Sequence, residues 1–96
     1  MRFKDKVVLI TGASRGLGKA MAEGFAEEGG KIIVSSRKLD ACEAVAESIK
    51  MRGGDAIAID AHLGSTDKID SLLSKVYSEV SKVDILINNA GINLGM

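Results

Sequence analysis

The amino-acid sequence predicts an α/β domain in which a parallel sheet carries helices on both faces. Three observations predict it. Four short apolar runs rich in β-branched residues, VVLIT (7–11), KIIVS (31–35), AIAI (56–59) and VDILI (83–87), are almost unbroken by polar positions. Strands buried on both sides read this way. Between the runs, apolar residues recur with helical spacing. Glycine pairs or single acids punctuate the junctions. The order is therefore βαβαβαβ, and right-handed crossovers leave few ways to wind it.

Each element has its own signal. VVLIT is the first strand, and the glycine-rich stretch TGASRGLG (11–18) follows it. Leu17, Met21, Gly24, Phe25 and Glu28 then fall on one helical face, and Gly29-Gly30 provides a C-terminal stop. KIIVS is the second strand. Asp40, with Glu43 three residues on, has the pattern of a capping box. Ala41, Val45 and Ile49 form the stripe of that helix, which Gly53-Gly54 ends. AIAI lies between Asp55 and Asp60 as the third strand. Ser65 or Thr66 caps the last helix, along which Ile69, Leu72, Leu73, Val76, Tyr77 and Val80 form one apolar stripe. VDILI is the fourth strand, followed by NNAGINLGM.

Composition narrows the function. Ninety-six residues make a single domain, 1–96, with 46% apolar and 27% charged content. Thirteen basic residues balance thirteen acidic ones, so neither nucleic acid nor an anionic membrane is an expected partner. No apolar run approaches the length of a membrane span. MRFKDK leads directly into a strand without a signal-peptide core. Cys42 is the sole cysteine. It has no disulfide partner and no metal-ligand spacing around it, which suits a reducing cytoplasm and a small half-buried helix residue. His62 lacks a neighbouring carboxylate or second histidine and reads as a surface residue, so no metal site is expected.

The glycine loop carries the chemistry. It joins a buried strand to a helix N-terminus, whose unpaired N–H groups and partial positive charge attract phosphate. Gly12 would make the turn, Gly16 would let a pyrophosphate approach the backbone, and Gly18 would let the helix pack closely on the strands. The spacing G-x-x-x-G-x-G is not the general dinucleotide fingerprint, and glycines in such turns also serve structure alone. A P-loop does not fit, since Ala13 and Ala20 stand where a glycine and a hydroxyl are needed. About 20 residues beyond such a loop, an acid meets a ribose 2′-OH or a base meets a 2′-phosphate. Ser35-Ser36-Arg37-Lys38 stands there, without a carboxylate. Arg37 offers a fork suited to phosphate and Ser36 a hydroxyl. Arg15 can close on the same phosphate from the loop. The alternative is that both arginines are solvated surface residues.

With TGASRGLG, SSRK, Asp60 and DILINNAG (84–91) in place, the sequence resembles the short-chain dehydrogenases/reductases along essentially its whole length. The resemblance leans to the 3-oxoacyl-(acyl-carrier-protein) reductase-like and tropinone-reductase-like members. It implies a Rossmann-type three-layer half-domain with a parallel sheet in the order 3-2-1-4, three helices, and NADP as cofactor. Gly12, Ser14, Arg15, Gly16, Leu17 and Gly18 would line the phosphates and ribose, and Ser36 and Arg37 would hold the 2′-phosphate. Asp60 and Ala61 would meet the adenine edge, though an acid at a strand end also serves turns. Asn89, Ala90 and Gly91 would pass beside the ribose, and Asn88 would stabilise the sheet.

The family pattern is not complete. Ala61 stands where Val is frequent, and Ser81 where Gly is usual. The family's catalytic Ser, Tyr-x-x-x-Lys pair and Asn have no match in these 96 residues. Tyr77 is followed four residues later by Ser81, not Lys, and reads as core. No catalytic residue is therefore assigned. The implied function is the NADP(H)-binding portion of an oxidoreductase acting on a carbonyl or alcohol, truncated after its fourth strand. The alternatives are a stand-alone nucleotide-binding module and a half completed by a separate chain. The fourth strand would be an unprotected edge, and one sheet face would carry a single helix. Both predict a homo-oligomer whose interface includes residues 83–96.

Overall fold

The computed structural model describes residues 2–13, 16–60 and 66–89. Its elements run β1 (Val7–Thr11), α1 (Gly16–Glu27), β2 (Lys31–Ser36), α2 (Leu39–Met51), β3 (Asp55–Asp60), α3 (Thr66–Glu79) and β4 (Ile85–Asn88). The four strands form one sheet in the order β3-β2-β1-β4, as expected. Every pairing is parallel, with Val8 opposite Ile32 on one side and Ile85 on the other.

Alternation along the strands divides the core between two faces. Val8, Ile10, Ile32, Val34 and Ala56 meet Ala22 of α1 and Cys42, Val45, Ala46 and Ile49 of α2. Val7, Leu9, Ile33 and Ile59 meet Leu72 and Val76 of α3 and Val80 just beyond it. Thus β1 and β2 need apolar side chains at successive positions because both directions lead into a core.

Both glycine pairs terminate helices by one device. Gly29 (φ 92°) and Gly53 (φ 87°) take the left-handed conformation. The amides of Gly29 and Gly30 donate to Ala26 O and Phe25 O, and those of Gly53 and Gly54 to Lys50 O and Ile49 O. This is a Schellman closure at each end.

Some details depart from the sequence reading. Leu17 is 66% exposed. The inward face of α1 is built instead on Gly18 and Ala22, with Met21, Phe25 and Ala26 beside them. Asp40 does not cap α2. The N-cap is Lys38, with extended backbone and no side-chain cap, and Asp40 sits in the first turn. Cys42 is fully buried rather than half-buried. Tyr77 is 53% exposed and not core, because among the described side chains of α3 it is Leu72, Leu73 and Val76 that turn toward the sheet. Strand β4 starts two residues later than predicted, since Asp84 uses its side chain to reach β1.

Candidate functional site

All four strands end on the same edge of the sheet, where open parallel sheets place their ligand crevice. Three short segments meet there: the turn after β1, the end of β2 and the end of β4.

The turn after β1 is built from glycine and braces. Thr11 is buried and ends the strand. The chain then turns through Gly12 at φ 65°, and the Ala13 amide donates to Ser35 O at 3.1 Å, tying the loop to β2. Gly16 opens α1 at φ 59°, with no atom of the other described residues within 4 Å of where a Cβ would stand. Its glycine is needed for conformation, and the described residues leave the space beside it open. Gly18 is the opposite case. A Cβ there would collide with the Gly12 carbonyl oxygen and stand 2.8 Å from Asn89 Nδ2. The close helix packing expected of Gly18 is therefore a contact with the loop's own backbone. The first turn of α1 carries no acid, so the positive end of the helix keeps its attraction for an anion. Leu17 stands exposed on that first turn.

Two adjacent asparagines tie β4 to this turn. Thr11 Oγ1 donates to Asn88 Oδ1 at 3.0 Å, across the β1–β4 pairing. This is the sheet-stabilising role expected of Asn88. Asn89 Nδ2 donates to Gly12 O at 3.1 Å. That brace was not read from the sequence, because a contact across 77 positions has no local signature.

The end of β2 is a polar turn without a carboxylate. Ser36 is half-buried, and Arg37 and Lys38 are exposed. Ser36 Oγ accepts the Lys38 amide at 3.0 Å and the Cys42 thiol at 3.0 Å. Ser36 therefore organises the turn into α2, the task that Asp40 had seemed to perform. Next to it, Ser35 Oγ is buried without a hydrogen-bond partner. Asp60 ends β3 opposite Ser36, but its side chain lies outside the described residues. Ser14, Arg15, Ala61, Ala90 and Gly91 also lie outside them.

The described groups fit a phosphorylated dinucleotide. They combine an acid-free helix start opened by Gly16 with a hydroxyl and a guanidinium at the neighbouring strand end. The described residues contain no group of three His, Cys, Asp or Glu able to hold a metal ion. None of their helices is long and apolar enough to cross a membrane.

Comparison with known proteins agrees with this geometry. The model of the short chain dehydrogenase family matches residues 6–96. A 3-oxoacyl-[acyl-carrier-protein] reductase of Synechocystis sp. is 42% identical over 88 residues, which cover 91% of this chain and 36% of that protein. Among solved structures, a hydroxysteroid dehydrogenase from Escherichia coli superposes with a TM-score of 0.88 at 39% identity. The match covers 94% of this chain and 38% of the other. A metagenomic short-chain oxidoreductase in complex with NADP gives 0.88 at 31% identity, over 95% of this chain and 41% of that one. The chain thus spans just over a third of the length of the relatives it matches.

Proposed function

The chain belongs to the short-chain dehydrogenase family, and from that premise we propose that residues 1–96 form one NADP(H)-binding half-domain of an oxidoreductase acting on a carbonyl or alcohol. The observation that carries the choice of NADP is the end of β2. Ser36 and Arg37 stand there with no carboxylate from Ser35 to Leu39, and a carboxylate would repel a 2′-phosphate. The solved relative that holds NADP supports the same choice.

The bound cofactor supplies hydride transfer, and the chain's own residues bind and orient it. The start of α1 presents backbone N–H groups to the pyrophosphate past Gly12 and Gly16, with Ser14, Leu17 and Gly18 along the same turn. Arg37 and Ser36 hold the 2′-phosphate, and Arg15 closes on it from the loop. Asp60 and Ala61 receive the adenine, and Asn89, Ala90 and Gly91 flank the ribose. None of the 96 residues is assigned as the acid/base. Tyr77 sits near the C-terminal end of α3, which leads back to the opposite edge of the sheet. The lone buried cysteine suits a reducing cytoplasm.

Titration of the chain with NADP+ and NAD+ tests this reading. NADP+ should bind more tightly, and Arg37→Asp should reverse the order. The expected difference is about 1–3 kcal/mol for one or two charge-assisted contacts. Equal affinities in the parent chain would refute the assignment.

The same reading includes self-association. Among the described residues strand β4 lies at an edge of the sheet, with Leu86 58% exposed and no proline in its sequence. A second copy pairs along it or covers the α3 face. Sedimentation at tens of micromolar should find a dimer or larger species, and a folded monomer would overturn the assembly.

A further inference from the structure

Resting on the NADP reading, we propose that Cys42 is a positioning residue for the 2′-phosphate: its thiol donates to Ser36 Oγ and leaves the Ser36 hydroxyl hydrogen to point at the ligand. A serine hydroxyl has one hydrogen to give and two lone pairs with which to accept. At Ser36 both lone pairs are engaged. One takes the Lys38 amide at 3.0 Å and the other the Cys42 thiol at 3.0 Å. The hydrogen remains. Its recorded acceptor is Lys38 O at 3.4 Å, long for an O–H···O bond. That carbonyl already receives the Cys42 amide at 3.0 Å in the first turn of α2. The hydroxyl hydrogen is therefore weakly held, and a phosphate oxygen is a much stronger acceptor.

The thiol does this from inside the core. Cys42 is fully buried in the cluster with Ile32, Val34, Val45 and Ala46, while its sulfur reaches the half-buried Ser36 six residues earlier. Without the S–H, the second lone pair of Ser36 Oγ would be open to water and the hydroxyl could turn away from the phosphate. A thiol is a weak donor, so its effect on selectivity is modest and specific.

The test compares NADP+ and NAD+ affinities for the parent chain, Cys42→Val, Cys42→Ser, Ser36→Ala and the Ser36→Ala/Cys42→Val double variant. Valine keeps the volume close and removes the donor, whereas serine restores one. Cys42→Val should lower the NADP+ over NAD+ preference about two- to fivefold, and Cys42→Ser should retain it. With Ser36 already changed to Ala, adding Cys42→Val should leave the preference where it was. Cys42→Ala provides the same reading should valine disturb the fold, which thermal melts monitor. Equal weakening for both cofactors would overturn the proposal and leave Ser36 and Arg37 in place. So would an undiminished effect of Cys42→Val in the Ser36→Ala background. A parent chain without NADP+ preference would overturn the NADP reading itself, and this role with it.

Discussion

The two edges of the sheet are built on opposite terms. At the N-terminal edge, the polar groups answer one another. Val7 N–H donates to Asp84 Oδ2 at 2.8 Å while Asp84 N–H donates to Val7 O at 2.9 Å. Lys82 Nζ lies 3.2 Å from the same carboxylate oxygen. The amides of Phe3 and Lys31 donate to Glu28 O and Lys6 O, and the Phe3 ring packs edge-on against Phe25 at 4.8 Å. At the C-terminal edge, the bonds brace the loop from behind, and the described residues leave the face beside Gly16 open. Ser35 Oγ, the one buried side-chain nitrogen or oxygen without a hydrogen-bond partner among the described residues, is also on that edge. The N-terminal edge is thus closed on itself, whereas the C-terminal edge is braced behind and open in front, and substitutions can tell the two apart.

The largest effect should come at Gly18. An alanine there must displace either the Gly12 carbonyl or Asn89. We expect Gly18→Ala to cost about 3 kcal/mol in urea unfolding and to abolish NADP+ binding. A stable variant that still binds would show that the loop relaxes around a methyl group, which the braces should prevent.

A matched pair sharpens the contrast. Gly16 and Gly53 both have positive φ, at 59° and 87°, and both have open space where a Cβ would go. Gly16→Ala and Gly53→Ala should each lose about 1–2 kcal/mol of stability from backbone conformation. Only Gly16→Ala should also weaken NADP+ binding. Equal binding losses would mean that the two edges are coupled.

The smallest effect belongs to Asp84. The Val7 amide, helped by Lys82 and Lys6, holds its carboxyl below the ordinary 3.8, although partial desolvation acts against it. A carboxyl lowered in the folded state stabilises the fold above its unfolded pKa and loses that contribution as pH falls through the folded value. Asp84→Asn should therefore be less stable than the parent at pH 7. The gap should close below about pH 3.8. Urea midpoints across that range measure it, and a gap independent of pH would assign the effect to geometry instead of charge.

The sequence was most informative where one physical demand acts on consecutive residues. Strands β1 and β2 were legible because both their faces are buried, so VVLI and IIV had to be apolar throughout. The glycine pairs at 29–30 and 53–54 were legible because a left-handed residue excludes most side chains. Leu17 misled because helix α1 is phased by its smallest residues. Gly18 and Ala22 approach the strands, and a hydrophobicity pattern gives them little weight. Tyr77 misled because it lies next to Val76 at the margin of the stripe, where a phenol tolerates solvent. That Gly12, Gly16, Gly18, Ser36 and Arg37 lie at one edge of the sheet was readable from the spacing of strands and loops. The Asn89 and Cys42 contacts were not, since each depends on where another element lands in space.

The Asn89 brace has a consequence for timing. Residues 12 and 89 are separated by 77 positions, so a growing chain makes them roughly 4–15 s apart at ordinary synthesis rates. The first strand and helix can meet early through local contacts, but the carbonyl of Gly12 waits for β4 to dock beside β1. Closing so long a loop is the slow, entropically costly kind of step. A nucleotide that needs the braced turn would then bind only after β4 has docked, and its arrival would report that β4 is in place.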